Sequence, residues 1–303
     1  MSLTLEQKAE IAAASPEAAT RRPVAPGLEK RLGAAIPVLD HGFVRVVDYM
    51  GDDAAIVQAA RVSYGAGTKT ARDDAGLIRY LMRHWHSTPF EMCELKLHVK
   101  LPVFVARQWI RHRTANVNEY SARYSILDRE FYIPRPEHLA AQSRVNNQGR
   151  GEVLEGAEAA RVLELLRRDS ETAYDHYEAM LSQDGQQGLA RELARMNLPA
   201  NVYTQWYWKV DLHNLFHFLR LRADAHAQYE IRAYAEALSA VVQDWVPAAW
   251  GAFEDYRLNA VTFSGRGMAA LRRMLNGETV TREDVGMSAG EWREFEGAVG
   301  CRQ

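Results

Sequence analysis

Nine consecutive residues in the first half of the chain alternate strictly between apolar and polar side chains. The apolar positions are Cys93, Leu95, Leu97, Val99 and Leu101, and they alternate with Glu94, Lys96, His98 and Lys100, directly after Met92. A repeat of two residues is the repeat of a β-strand that has one buried face and one face in water. The chain is therefore expected to build a sheet with one covered face, and Cys93 is expected to pack in the core.

Two further stretches have strand character, and helical patterns lie between them. Val38–Asp48 is rich in valine, and Val202–Val210 alternates with aromatic residues at several positions, both of which favour strands. Helices are predicted at Asp53–Val62, Asp73–His84, Val103–Arg111, Glu155–Leu181, Gln187–Asn197 and His213–Trp245, the last of them broken near Ala223. Small helices are expected in the C-terminal tail.

The order of these elements predicts an α+β fold. Strands scattered among helices without regular alternation indicate a mainly antiparallel sheet packed with long helices in a single-domain subunit. The chain has neither G-x-G-x-x-G nor G-x-x-x-x-G-K, so the fold is expected to be non-Rossmann and not a P-loop NTPase. Residues 1–35 are predicted to be a poorly ordered extension with one short helix from Leu5 to Ala14, 36–265 the functional domain, and 266–303 a helical tail.

The overall charge limits what kind of partner the chain can bind. Lys and Arg number 37 against 39 Asp and Glu, a net charge of -2, so any anion site must be local. Two cysteines, Cys93 and Cys301, suggest neither a disulfide framework nor a cysteine-rich metal site. Without an apolar signal region or a run long enough to span a membrane, we expect a cytoplasmic protein that does not bind membranes.

Positive charge is concentrated between Arg107 and Arg135, a segment that contains six arginines but only three carboxylates. Arginine forks match phosphate and carboxylate oxygens, and Trp109, Tyr120 and Tyr124 offer aromatic faces for a planar ring. The alternative is a solvated basic turn that pairs with acids elsewhere. Spacing alone does not decide between them.

The same segment resembles the signature of the flavin-dependent thymidylate synthases. Arg111-His112-Arg113, seven residues and then Ser121 is similar to their RHR-x7-S motif. Three other segments resemble family segments in the right order: His86 to Glu91, Arg195 to Pro199, and Leu221 to Arg232 with its His226-Ala227-Gln228.

The resemblance implies a set of ligand contacts. Contacts with the substrate dUMP are implied at Gln108, Trp109, Ile110, Arg111, Glu119, Tyr120, Ser121, Ala122, Arg123, Arg195 and Arg222. Contacts with FAD are implied at His86, Thr88, Arg111, His112, Arg113, Glu119, Asp211, Leu212, His213 and His217. Three positions in or near these contacts depart from the family pattern. Asn116 stands where serine is frequent, and Asp211 and His217 stand where some relatives have asparagine.

The resemblance also implies a reaction. NADPH reduces the flavin, a methylene group passes from methylenetetrahydrofolate to dUMP, and reduced flavin supplies the hydride that completes the methyl group of dTMP. Arg222 is the implied catalytic residue, a fixed cation beside negative charge that develops on uracil. No catalytic cysteine or metal is needed. Members of this family are homotetramers with active sites shared between subunits, and the aromatic strand Tyr203–Trp208 is a candidate for part of such an interface.

Three other interpretations address parts of the same sequence. His213 and His217 have the spacing of a zinc-hydrolase motif, but the glutamate of H-E-x-x-H is missing; His84 and His86 are a second histidine pair. A nucleic-acid-binding module would use the arginine and aromatic strip, but no RNP, KH or C2H2 pattern is present. Ser121 as a nucleophile lacks a His-Asp pair at a suitable spacing.

Overall fold

The computed structural model describes residues 19–62, 74–143, 149–181 and 187–300, together with Leu5, Lys8 and Ala9. Asp73, Cys301 and most of the predicted helix Leu5–Ala14 lie outside these residues. The chain divides into two compact units, Met1–Phe253 and Glu254–Gln303. The predicted start of the tail at residue 266 lies inside the second unit.

A five-stranded antiparallel sheet forms the centre of the first unit. Its strands are β1 (Ala35–Val38), β2 (Gly42–Met50), β3 (Glu94–Pro102), β4 (Asn116–Glu119) and β7 (Tyr203–Asp211), in the order β1-β2-β3-β7-β4. A separate hairpin consists of β5 (Ala140–Gln142) and β6 (Arg150–Val153). The longest pairing joins β3 to β7, the two strands with the clearest alternation.

Helices surround the sheet. In the first unit they are α1 (Pro26–Glu29), α2 (Asp53–Arg61), α3 (Asp74–Arg83), α4 (Thr88–Glu91), α5 (Val103–Trp109), α6 (Gly156–Met180), α7 (Arg191–Ala194), α8 (Leu212–Arg222), α9 (Tyr229–Trp245) and α10 (Pro247–Phe253). The predicted α+β, non-Rossmann fold is confirmed. The predicted helix Gln187–Asn197 is shorter, since only α7 and a 3-10 turn, Arg195–Asn197, form there.

The main core packs on the inner face of β3 and β7. Leu95, Leu97, Val99 and Leu101 of β3 are all 0% exposed, as is Cys93 just before the strand. On β7, Trp206 and Trp208 meet the ring of Trp109 edge-on at centroid distances of 5.8 and 5.1 Å. Burial raises the pKa of Cys93 to about 12, and Asp52 and Asp53 raise it too, so this thiol stays protonated in the core, as its place in the pattern predicts.

The polar face of β3 differs from the predicted wet face. His98 and Lys100 are 8% and 5% exposed, because partners from neighbouring segments cover them. His98 Nδ1 accepts from Arg45 Nη2 at 3.0 Å, and its Nε2 lies 2.9 Å from Oε1 of Gln205. Lys100 forms an ion pair with Glu130. A polar residue in a strand is thus buried when its cross-strand neighbours supply charge and hydrogen bonds.

Ordered structure begins before the predicted domain start at residue 36. Leu28 of α1 is fully buried, and the backbone N–H of Ala25 donates to Tyr49 Oη at 2.9 Å. The predicted strand Val38–Asp48 is instead a hairpin of β1 and β2. Leu39 at its turn has a φ of 59°, in the left-handed region, which ends the first strand.

The second unit holds a π-helix, Glu254–Leu258, and three helices: α11 (Gly265–Leu275), α12 (Arg282–Val285) and α13 (Ala289–Val299). Its small core consists of Ala270, Val280, Met287 and Phe295. Side-chain N-caps begin all three helices, including a capping box between Thr281 and Asp284.

Candidate active site

A cavity of about 560 Å³ brings together the largest group of predicted site residues. It is lined by Arg111, His112, Arg113, Thr114, Trp208, Val210, His213, Asn214, His217, Leu221 and Arg222. Three segments build it: the turn after α5, the C-terminal half of β7, and one stripe of α8. Six of the eleven lining residues were predicted from the sequence.

The stripe on α8 follows from helical spacing. His213, His217 and Leu221 are four residues apart, so they project from one face of the helix. The helix begins directly at the end of β7, where the Asp211 carboxylate accepts the Asn214 backbone N–H at 2.9 Å and its side-chain amide at 2.8 Å. This is an N-cap. The Asp211 side chain therefore fixes the helix start, and Leu212 is fully buried, so neither predicted flavin contact lines the cavity.

His112 and Arg222 are joined within the cavity. Arg222 Nε donates to His112 Nε2 at 3.0 Å. Because arginine has no acceptor, His112 Nε2 is unprotonated and the ring hydrogen lies on Nδ1. Burial first, and then the charge of Arg222 and the neighbouring His217, lower the pKa of His112 to about 4. Burial also lowers the pKa of Arg222. The site thus holds a neutral imidazole beside a partly desolvated guanidinium.

Arg111 and Arg113 give the cavity uncompensated positive charge. Within the described part of the chain, neither guanidinium is paired with a carboxylate. Together with Arg222, they make three cationic side chains in one cavity. Such a set binds anionic oxygens, above all phosphate, through charge-assisted hydrogen bonds. The alternative of a basic turn neutralised by acids elsewhere does not hold for these arginines in the described residues.

A second group of predicted residues lies beside α7 and is absent from the cavity lining. Ala122 and Ala194 are buried in one core cluster, and each is followed by an exposed arginine, Arg123 and Arg195. Arg123 Nε donates to Glu192 at 3.1 Å. The Ser121 hydroxyl accepts the Arg123 backbone N–H at 3.3 Å, which holds it in a turn. Ala122 itself has no exposed side chain to offer a ligand.

Glu119 and Tyr120 lie on the edge strand β4 and just after it. Thr204 donates its hydroxyl hydrogen to Glu119 Oε1 at 2.9 Å. The Tyr120 hydroxyl donates to the carbonyl of Ile126 at 3.1 Å, and its ring is exposed. The sequence did not predict β4, whose first residue is Asn116, one of the three departures from the family pattern.

Helix α5 separates its predicted residues onto different faces. Trp109 is 0% exposed and packs against Phe218 at a centroid distance of 4.6 Å, so its ring is unavailable to cover a ligand. This corrects the prediction for its side chain, since successive helical residues point about 100° apart. Gln108 donates an amide hydrogen to Gln228. Ile110 is 43% exposed.

His86 and Thr88 lie before β3, around the start of α4, and both are exposed. The His86 ring lies 6.0 Å from that of Tyr80, and neither His86 nor Thr88 lines the cavity. Sequence reasoning missed Thr114, Trp208, Val210, Asn214 and Leu221 among the lining residues. The four-residue spacing after His213 and His217 was a signal for Leu221; the contributions of Trp208 and Val210 depend on where β7 lies in the sheet.

The described residues also bear on two other features, a metal site and a membrane-spanning helix. No group of three or more His, Cys, Asp or Glu side chains is arranged there to hold a metal ion. None of the helices in the described ranges combines the length and the apolarity that a membrane crossing requires.

The fold and the site define an α+β protein that carries three arginines and a neutral histidine in one ligand-sized cavity between β7, α8 and the turn after α5. Residues 45–248 match the family model described as thymidylate synthase complementing protein. The chain belongs to this family, and the sequence-based identification is confirmed.

Relatives and solved structures agree. A flavin-dependent thymidylate synthase of Ruegeria pomeroyi is 75% identical over 99% of this chain and 100% of its own length. One of Gluconobacter oxydans is 63% identical over 97% of both chains. The crystal structure of a UMP/dUMP methylase, PolB from Streptomyces cacaoi, bound with 5-Br UMP superposes with a TM-score of 0.65 at 33% identity, covering 74% of this chain and 98% of that chain.

Proposed function

We propose that this chain catalyses the reductive methylation of dUMP to dTMP, with methylenetetrahydrofolate as carbon donor and FAD and NADPH as the hydride source. The observation that carries the proposal is the joint placement of Arg111, Arg113 and Arg222 around a neutral His112 in one cavity. Relatives named flavin-dependent thymidylate synthase and a neighbour named UMP/dUMP methylase support the same reaction.

The residues of the cavity fit a flavin nucleotide. Trp208 and Val210 give an apolar wall from β7, and the imidazoles of His213 and His217 follow along α8. A planar ring system suits such a wall, whereas Arg111 and Arg113 suit the pyrophosphate. When bound, the flavin carries the hydride from NADPH to the transferred one-carbon group.

Arg222 is suited to act on the pyrimidine. Its Nε is held by His112, so the two Nη groups keep a fixed direction in the cavity. Negative charge must develop on the uracil ring for C5 to attack the methylene carbon, and a fixed guanidinium stabilises that charge without reorganisation. The lowered pKa of Arg222 reflects partial removal from water, which strengthens its attraction for an anion.

We propose in addition that the active sites are shared between subunits of a homotetramer. Arg111 and Arg222 line the cavity, whereas Ser121, Arg123 and Arg195 lie beside α7 and are absent from its lining. If both groups contact one dUMP molecule, a second copy of the chain supplies the group beside α7.

A spectroscopic and chemical assay tests the proposal. The purified protein is expected to be yellow, to bleach with NADPH under anaerobic conditions, and to bleach faster when dUMP is present. With methylenetetrahydrofolate it is expected to form one dTMP for each NADPH oxidised. A colourless protein that refuses added FAD and still folds would exclude the proposed function.

A further inference from the structure

A second pocket lies on the opposite face of β7 from the candidate active-site cavity. Its volume is about 310 Å³, and β3, β7 and the edge strand β4 build it. We call it the lysine pocket; its lining residues are Lys96, Asn116, Val117, Asn118, Tyr207 and Lys209. Trp208 and Val210 line the cavity whereas Tyr207 and Lys209 line this pocket, because successive residues of a strand point to opposite faces.

The register of the sheet sets the two lysines side by side. Lys96 of β3 stands directly opposite Lys209 of β7, and Asn116 of β4 stands opposite Lys209 on its other side. The three side chains therefore form one row on the same face of the sheet. Like charges directly opposite each other destabilise a sheet, so the two lysines favour the binding of negative charge between them.

The carboxylates nearby neutralise this row only in part. Glu94 forms an ion pair of 2.7 Å with Lys209. Asp48 of β2 stands opposite Lys96, but its carboxylate pairs with Arg22 at 3.0 Å. Lys96 is exposed, and no carboxylate in the described ranges of the chain forms an ion pair with it. Its ammonium group is therefore available to an anionic ligand.

A buried guanidinium adds positive charge to the same face. Arg45 of β2 is 7% exposed, its Nη2 donates to His98, and its Nε has no hydrogen-bond partner within the part of the chain that the structure describes. His98 stands opposite Tyr207 and stacks on its ring at a centroid distance of 5.0 Å, so Arg45 lies one row from the pocket. No carboxylate among these residues pairs with Arg45. An uncompensated cation in a poorly solvated place raises the local positive potential.

The edge strand supplies neutral donors to the lysine pocket. Asn116 and Asn118 are exposed and stand opposite Lys209 and Tyr207. Neither carboxamide is hydrogen-bonded to another described residue. Ammonium and carboxamide groups both donate hydrogen bonds to anionic oxygen. The pocket therefore suits a phosphate or a carboxylate group.

The lysine pocket and the candidate active-site cavity are neighbours around the edge of the sheet. Thr114 lines the cavity and Asn116 lines the pocket, so their Cα atoms are at most about 7 Å apart. A ligand whose ring occupies the cavity therefore reaches the pocket if it is long. Both proposed co-substrates are long and carry anionic groups away from their reacting ring. These groups are the 2′-phosphate of NADPH and the glutamate carboxylates of methylenetetrahydrofolate.

We propose that the lysine pocket binds the distal anionic group of one of these co-substrates, with Lys96 as its principal contact. The inference rests on the proposed function, because it takes the co-substrates from that reaction. The chemistry shared by both sources is an oxyanion held by ammonium and carboxamide donors. The bound oxyanion compensates the positive charge that Lys96 and Arg45 leave on this face.

Calorimetry on the flavin-loaded protein at low ionic strength tests the inference with two pairs of ligands. NADP⁺ and NAD⁺ differ by the 2′-phosphate. Tetrahydrofolate with three glutamates differs from tetrahydropteroate, which has none. In one pair the more anionic ligand is expected to bind about tenfold more tightly, and this pair identifies the source of the oxyanion. Equal binding within both pairs would overturn the inference.

Three variants show whether the preference comes from the lysine pocket. Lys96→Gln is expected to reduce the tenfold preference to within about twofold, because a charge-assisted contact is lost. Lys96→Arg keeps a cation and should retain most of the preference. Lys30→Gln removes the same charge from an exposed residue at the end of α1, outside the pocket, so it is the matched control. Retained preference in Lys96→Gln, or an equal loss in Lys30→Gln, would refute a local site.

Kinetics and light scattering complete the test. In Lys96→Gln the KM for the identified co-substrate is expected to rise about fivefold to tenfold while kcat stays within about twofold, because the reacting groups lie in the cavity. A change in particle mass in Lys96→Gln alone would show that the pocket is a contact between copies and would overturn the inference. Normal dTMP formation without any ligand preference refutes the inference alone. Failure of the unaltered protein to bind flavin or form dTMP would instead refute the proposed function.

Discussion

The Nε hydrogen of Arg222 points at Nε2 of His112 over 3.0 Å, which ties the last residue of α8 to the turn that follows α5. The bond fixes two things at once: the tautomer of the imidazole and the direction of the guanidinium. Since both residues line the same cavity, this pair links two of the segments that build the site.

Replacing Arg222 should therefore affect turnover more than folding. Arg222→Ala is expected to lower kcat for dTMP formation by about 100-fold, because one fixed donor or cation at a developing charge contributes on that order. Arg220→Ala is the control, since Arg220 is exposed on the same helix and does not line the cavity. Near-normal turnover in Arg222→Ala would refute the proposal that Arg222 stabilises negative charge on the uracil ring.

Acid should destabilise the protein through His98. Burial first, and then the charge of Arg45, lower its pKa from 6.5 to about 4. Between these values the unfolded chain binds a proton that the folded chain does not, so stability falls as the pH drops from 6.5 to 4. In His98→Gln, the slope of the unfolding free energy over this window should be shallower by about 1 kcal/mol per pH unit, measured by urea denaturation. An unchanged slope would contradict the burial of a neutral His98.

Trp109 should matter for stability and not for nucleotide contact by its ring. Trp109→Ala is expected to lower the free energy of unfolding by about 3–5 kcal/mol, because a fully buried indole is lost. Trp109→Phe, which retains an aromatic ring for Trp208 and Phe218 to pack on, should lose less and keep the Kd for dUMP within about twofold. A large rise in the Kd of Trp109→Phe for dUMP, with intact folding, would show instead that the Trp109 ring contacts the nucleotide.

Asp211 should act as a helix cap. Asp211→Ala is expected to cost about 1 kcal/mol of stability, whereas Asp211→Asn retains an oxygen for the Asn214 N–H and should cost only a few tenths. Thermal melting of both variants, with flavin content measured in parallel, checks the assignment. Flavin loss in Asp211→Asn without loss of stability would show that the carboxylate contacts the cofactor.

Mixing two inactive variants tests the shared site. Arg222→Ala removes a cavity residue and Arg195→Ala removes a residue of the group beside α7. If each site combines these groups from different copies, a reassembled equal mixture should recover about a quarter of normal activity, because each half is drawn at random. Light scattering should report four chains per particle. No recovery in a mixed tetramer, or a fully active monomer, would refute sharing.

The sequence predicted well the strands that their own alternation of side chains marks. It missed burial that depends on residues far away in the sequence. The alternation in β3 and β7 located the two longest-paired strands, because the buried face of β3 is fully apolar and that of β7 is apolar at Trp206, Trp208 and Val210. Strand β4 was missed because all four of its residues are exposed, so no apolar repeat marks it. The polar face of β3 was predicted to be wet, but His98 is buried by Arg45 and Gln205, which lie far away in sequence.

The candidate site shows the same division. Motif order identified Arg111, His112 and Arg222, but it treated residues 108–111 as one contact surface. Helical geometry turns the side chain of Trp109 into the core, although its neighbours Gln108 and Arg111 belong to the same motif. A motif match assigns contacts by position in the sequence and takes no account of the direction in which each side chain points. The role of Asp211 as a cap was also readable in principle, since aspartate three residues before a helical N–H is a frequent start signal.

Strand β7 passes into α8 with no intervening loop, Asp211 being the last strand residue and Leu212 the first helical one. Trp208, Val210, His213 and His217 therefore belong to one continuous stretch of regular backbone, braced at its corner by the Asp211 cap. Such a corner has no hinge of its own. The turn Arg111 to Thr114 is the part of the cavity lining that lies outside this continuous stretch, and it carries Arg111 and Arg113, two of the arginines proposed to bind phosphate.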